Sequence, residues 1–219
     1  MIEPSPKVWA YDGARRSRMI GSLNCFRRVG HLLNKLRYTL DTQADSHLKS
    51  IKRHCRQETE TADLAKALGT VLVDFFADAT SPEQHINIAL EGNLGAGKTA
   101  FARYLIQCMG YAGKVKSPTY SLCESYPIVC DKQTTHAFHF DLYRMRTPLE
   151  WQEAGLAEHF DAPGMCLIEW PEKAEGTLPI LDLQITITAG ERETERQFEL
   201  KALSDLGLRL LSELQGDLP

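Results

Sequence analysis

Ile86-Asn87-Ile88-Ala89-Leu90-Glu91 runs straight into Gly92-Asn93-Leu94-Gly95-Ala96-Gly97-Lys98-Thr99, and the reading of this junction decides the fold. Ile86, Ile88 and Leu90 alternate with other residues, which is the period of a strand. Downstream, Phe101, Leu105 and Cys108 share one face of a helix. The segment between matches G-x-x-x-x-G-K-[ST] in full, with the strand before it and the helix after it that a phosphate loop requires. Glycines let the backbone turn with its N–H groups inward, so that these donors and the positive end of the next helix surround a phosphate. The backbone of Asn93, Leu94, Gly95, Ala96, Gly97 and Ala100 is expected to line that cradle. Lys98 is expected to bridge the β- and γ-phosphates of ATP, and the Thr99 hydroxyl to ligate Mg2+.

Working outward, Leu64, Leu68, Val71, Leu72 and Phe75 predict a helix that begins near Thr59. Strand signals lie at Ala137 to Leu142, Met165 to Trp170, Leu183 to Thr188 and Gln197 to Leu200, and a last amphipathic helix covers Leu203 to Leu214. Strands interleaved with helices predict an α/β fold of the P-loop NTPase type: a three-layer sandwich, its central sheet mostly parallel, with an antiparallel edge formed by the strands flanking Gly190. With 219 residues and 43% apolar content, one core plus an appendage is the expectation.

Charge divides the chain. Of 25 Lys and Arg, 12 fall in residues 1–56, against 4 of the 29 Asp and Glu, which leaves 13 basic and 25 acidic residues from Gln57 onward. A domain that acidic is poorly suited to grip a phosphate backbone, so any contact with tRNA is expected to be indirect. Residues 1–57 read as a basic appendage (an organellar transit peptide, a disordered basic tail or an over-long reading frame), and residues 58–219 as the P-loop domain. The six cysteines show neither a C-x-x-C pair nor zinc-finger spacing with the seven histidines, which fits reduced thiols in a cytoplasmic protein. No apolar run approaches the roughly 18 to 20 residues that span a bilayer, and no membrane partner is expected.

A P-loop needs an acid at the end of a neighbouring strand to hold magnesium. Asp141 closes His139-Phe140-Asp141, and Glu169 closes Met165-Cys166-Leu167-Ile168-Glu169, both where open α/β sheets place their ligand crevice. Val115-Lys116-Ser117-Pro118-Thr119-Tyr120 is a Pro-stiffened loop offering two hydroxyls and a cation. On spacing alone it is either a γ-phosphate sensor or an ordinary turn. Trp170 either packs in the core, the better expectation from its neighbours, or caps the crevice. His136 and His139 are three apart on a strand and so face opposite ways, which argues against a shared metal; His139 reads as a packed or hydrogen-bonding residue rather than a catalyst.

Taken in order, Gly92 to Thr99, Val115 to Tyr120, His139-Phe-Asp-Leu-Tyr-Arg144 and Leu167-Ile-Glu-Trp-Pro-Glu172 resemble the TsaE (YjeE) family, the bacterial ATPase required for making threonylcarbamoyladenosine in tRNA. The resemblance runs from about Thr59 to Leu200. It implies a weak magnesium-dependent ATPase that docks on the TsaB–TsaD pair. It also implies Lys98, Asp141 and Glu169 in catalysis, Thr99, Asp141 and Glu169 around Mg2+, Thr119 in a switch-like loop, and Trp170 beside the nucleotide. Asn93 and Ala100 stand where that family usually has Asp and Thr.

Two other classes share the P-loop. A small-molecule kinase usually carries an Arg-bearing lid, and no Arg cluster lies in a lid-like insertion. A guanine-nucleotide switch would carry Asn-Lys-x-Asp after the loop, and none follows.

Overall fold

The computed structural model describes residues 50–77, 84–118, 120–130 and 133–217. In chain order the elements are β1 (Ser50–Cys55), α1 (Glu58–Ala77), β2 (His85–Glu91), α2 (Lys98–Cys108), β3 (Cys123–Cys130), β4 (Gln133–Asp141), the single turn α3 (Glu150–Glu153), β5 (Gly164–Glu169), β6 (Leu183–Ala189), β7 (Arg196–Ala202) and α4 (Asp205–Asp217). Tight 3₁₀ turns cover Leu156–Phe160 and Pro171–Ala174.

The strands form one sheet in the order β1-β7-β6-β2-β5-β4-β3. Its centre is parallel, β6 to β2, β2 to β5 and β4 to β5. Both edges are antiparallel: β6, β7 and β1 on one side, and β3 against β4 on the other. The α/β expectation holds, including the antiparallel pair around Gly190. The second antiparallel edge was not expected. In β3 the alternation of Tyr126, Ile128 and Cys130 is interrupted by Pro127, which only an edge strand tolerates because proline has no N–H to pair.

Ser50–Cys55, read from sequence as appendage, is β1, paired along its length with β7 and burying Ile51 and Cys55. The polar run Lys52-Arg53-His54 hid this alternation, since an edge strand can leave its polar face in water. The expectations for the rest of the appendage, residues 1–49, lie outside the described residues.

Period-two alternation splits the core between the two faces of the sheet. Ile86, Ile88, Leu90, Met165, Leu167, Ile185 and Leu200 meet α1, α2 and α4, where Leu68, Leu72, Leu105 and Leu211 are fully buried. Each such burial contributes roughly 1.5–3 kcal/mol. Phe101 of α2 packs on Phe198 of β7, with ring centres 5.3 Å apart. On the other face Phe138, Phe140, Cys166 and Ile168 are covered by Trp151 and Phe160, so this third layer consists of α3 and 3₁₀ turns rather than long helices.

Candidate functional site

Parallel register brings three strand ends level. Glu169 lies opposite Leu90 of β2 on one side and opposite Asp141 of β4 on the other. Alternation then points His139, Asp141 and Glu169 to the face that carries α2, the helix that follows the glycine loop. His136, three residues back, faces the other way and stacks with Phe138.

The loop itself is set by backbone constraints. Gly92 has φ +142°, and a Cβ there would run into the carbonyl oxygen of Ile187 on β6. Gly95 and Gly97 are also left-handed, at +78° and +106°. Gly97 caps α2 without any side-chain hydrogen bond, and the first turn of α2 holds no acid. A helix start leaves its first N–H groups without partners inside the helix, and this one adds neither a capping side chain nor a negative charge. It is open to an external anion.

Around this cradle the polar side chains converge. Lys98 is only 4% exposed; its Nζ donates to the carbonyls of Gly92 (2.6 Å) and Asn93 (3.1 Å) and lies 3.6 Å from the centre of the Trp170 ring. Burial lowers the Lys98 pKa, against the opposing pull of Glu169, Glu172 and Asp141. The Thr99 hydroxyl donates to Glu169, 2.8 Å from Oε1 and 3.1 Å from Oε2. His139, fully buried, places Nε2 2.8 Å from the same Oε1. A carboxylate only accepts, so Nε2 carries the proton, and the buried Nδ1 is left without a hydrogen-bond partner.

Asp141 accepts from Ser117 Oγ (2.9 Å) and from the Tyr143 amide (3.2 Å). Ser117 is delivered by the loop after α2, which is anchored through buried Val115 and through the Lys116 amide donating to Tyr126 Oη. Two non-glycine residues beside these acids, Leu122 and Trp170, are both held at φ +61°. Such a backbone costs on the order of 1–3 kcal/mol and clusters at working sites. Trp170 also packs on Tyr143, 4.8 Å between ring centres; partly buried against the Phe138–Phe140 cluster, it meets the core as well as lying beside Lys98.

Lys98, Thr99, Asp141, Glu169, Trp170 and the 93–97 loop, with Ala100 in the first turn of α2, thus gather at one end of the sheet. The side chain of Leu94 stands in solvent, so that residue can offer only its backbone. Thr119 lies outside the described residues. Among those described, no three His, Cys, Asp or Glu form a metal cage, and magnesium, which keeps waters and phosphate oxygens as ligands, does not require one. His139 takes the packed, hydrogen-bonding place read for it, with Glu169 as partner, whereas the sequence did not single out Arg196, whose Nε donates to the Ala96 carbonyl at 2.7 Å. The first had a signal, two residues before an acid on a strand; the second had none.

A strand, glycine loop and helix at the carboxyl edge of a parallel-centred sheet, with paired acids on the adjoining strands, define the P-loop class of α/β proteins. Within that class, residues 55–198 match the family model described as "Threonylcarbamoyl adenosine biosynthesis protein TsaE", and the chain belongs to the TsaE family. It is 41% identical over 130 residues to the tRNA threonylcarbamoyladenosine biosynthesis protein TsaE of Haemophilus influenzae, covering 59% of this chain and 78% of that one. To the protein of the same name from Bacillus subtilis it is 38% identical over 112 residues, covering 51% and 67%. The crystal structure of Bacillus subtilis YdiB superposes with a TM-score of 0.60 at 28% identity, over 79% of this chain and 99% of that one. Among the described residues no helix is long and apolar enough to cross a membrane.

Proposed function

We propose that this chain binds ATP with Mg2+ at the 92–99 loop and hydrolyses it in the service of threonylcarbamoyladenosine formation on tRNA, acting on a TsaB–TsaD complex. The observation that carries the reading is the convergence of four groups on one uncapped helix start: Lys98, Thr99 and the in-register acids Asp141 and Glu169. The backbone amides of the loop and Lys98 would hold the phosphates, and Thr99, Asp141 and Glu169 the magnesium ion. When bound, the cation withdraws charge from the transferring phosphoryl group.

The chain's own residues have definable tasks. Glu169 accepts the hydrogen bond that the Thr99 hydroxyl donates, which leaves the Thr99 oxygen lone pairs free to face a cation. Lys98 is held over the loop by two carbonyls and the Trp170 ring, and exchanges these for phosphate oxygens. Asp141, through Ser117, couples the 115–118 loop to the acids and so to whatever occupies the crevice.

Family membership supports the tRNA-modification role, and the relatives' names point the same way. The acidic domain favours a partner that handles tRNA. Free thiols at Cys55, Cys108, Cys123, Cys130 and Cys166 suit a reducing cytoplasm. Purified protein is expected to bind ATP only with magnesium, to turn it over slowly, and to turn it over faster as TsaB–TsaD is titrated in. Lys98→Ala should abolish binding. Normal turnover by that variant would refute the assignment, and a rate unmoved by the partners would refute the docking.

A further inference from the structure

Arg196 opens β7 and reaches across to the back of the glycine loop. Its Nε donates to the Ala96 carbonyl at 2.7 Å, while Nη1 donates to the carbonyls of Glu193 (2.6 Å) and Glu195 (2.8 Å) in the β6–β7 turn. A Cβ placed on Gly97 would sit 3.4 Å from Nε, so the side chain lies directly against the loop where α2 begins. The other flank of the loop is equally close to this hairpin, since Gly92 abuts the Ile187 carbonyl of β6.

This arrangement has a mechanical sense. A phosphate loop works by turning its N–H groups inward, and each peptide that does so turns its carbonyl outward, where it needs a donor of its own. Ala96 is buried, and its outward carbonyl is met by a guanidinium whose second nitrogen is tied to a different element. A planar, always charged fork can hold two such acceptors in fixed relation; an ammonium cannot.

We propose that Arg196 is a positioning residue that clamps the phosphate loop from behind, fixing the Ala96–Gly97 peptide so that the inward donors are set before an anion arrives. Resting on the nucleotide-binding reading above, the inference assigns the β6–β7 hairpin a part in ligand affinity that no contact with the ligand would give it.

The test uses the full chain with Arg196→Ala and Arg196→Lys. In nucleotide-free protein, amide hydrogen exchange in the segment from Gly92 to Thr99 should be faster in both variants than in wild type, with the helical amides of α1 unchanged. With Mg-ATP, the dissociation constant should rise about tenfold in Arg196→Ala, the loss expected when a charge-assisted hydrogen bond goes. The maximal turnover rate should stay within about twofold, because no group at the acids is touched. Millimolar guanidinium should restore part of the affinity to Arg196→Ala. Unchanged exchange in the loop would overturn the clamp whatever ATP does. So would a fall in turnover at unchanged affinity, or slackened α1 exchange with no guanidinium rescue, the mark of a general packing role. Wild-type protein that fails to bind ATP while the variants still loosen the loop would sink the nucleotide reading and leave the clamp standing.

Discussion

At the scale of single residues, Glu169 ties the start of α2 to β4. It is 2% exposed and draws donors from Thr99 and from His139, both at Oε1. Burying a carboxylate is tolerated only when donors replace water, and each charge-assisted bond of this type is worth about 1.5–3 kcal/mol. His139→Leu removes one of two donors without changing the fold of β4, and is expected to lower turnover about tenfold while shifting the melting temperature down by a few degrees. His139→Gln, which can return an N–H to nearly the same place, should recover much of the rate. Equal rates in the two variants, in steady-state assays at one pH, would show that the contact does not position Glu169.

Elements meet at a second, half-buried polar centre, away from the acids. Asp182, just before β6, accepts from the Asn87 amide (2.9 Å) and from Ser204 Oγ (2.6 Å), joining β2, β6 and the start of α4. Asn87 in turn donates to the Ile180 carbonyl and faces His85, which bonds the Ala162 carbonyl. Burial raises the Asp182 pKa, with the bonds from Asn87 and Ser204 and the proximity of His85 pulling against it. The folded state therefore holds this proton more tightly than the unfolded chain. In the window from the ordinary value of 3.8 up to the raised one, the native form binds more protons, so this group's contribution favours folding at low pH and is lost as pH rises. Asp182→Asn is expected to remove that slope. Urea midpoints measured between pH 4 and 7 should then decline less in the variant than in wild type; parallel curves would contradict the reading.

For the whole molecule, the two antiparallel edges matter differently. The β3 edge carries a proline at Pro127 and stays short of trouble through it. The opposite edge depends on β1, which covers β7, the strand that bears Arg196 and Phe198. A chain beginning at Gln57 should therefore lose about 2–4 kcal/mol relative to one beginning at Ser50, from the burial of Ile51 and Cys55. Thermal melts of the two truncations decide this, and coincident melts would show that β1 adds nothing.

The glycine loop, its flanking strand and helix, and the strand-end acids were legible in the sequence because each is a local pattern: backbone freedom at Gly92, Gly95 and Gly97, period two in Ile86 to Leu90, and apolar runs ending in Asp141 and Glu169. Three things were decided only in three dimensions. Register between β4 and β5 set Asp141 and Glu169 side by side, a relation between strands that no single stretch encodes. The charged alternation of Ser50–Cys55 became a strand because β7 offered a ladder to it. Arg196 meets Ala96 across a chain separation too long for any spacing rule, since the hairpin must first fold back along β2 before the guanidinium can find its carbonyl. Local chemistry is written in neighbouring residues, while the partners that hold it in place are chosen by the packing of the sheet.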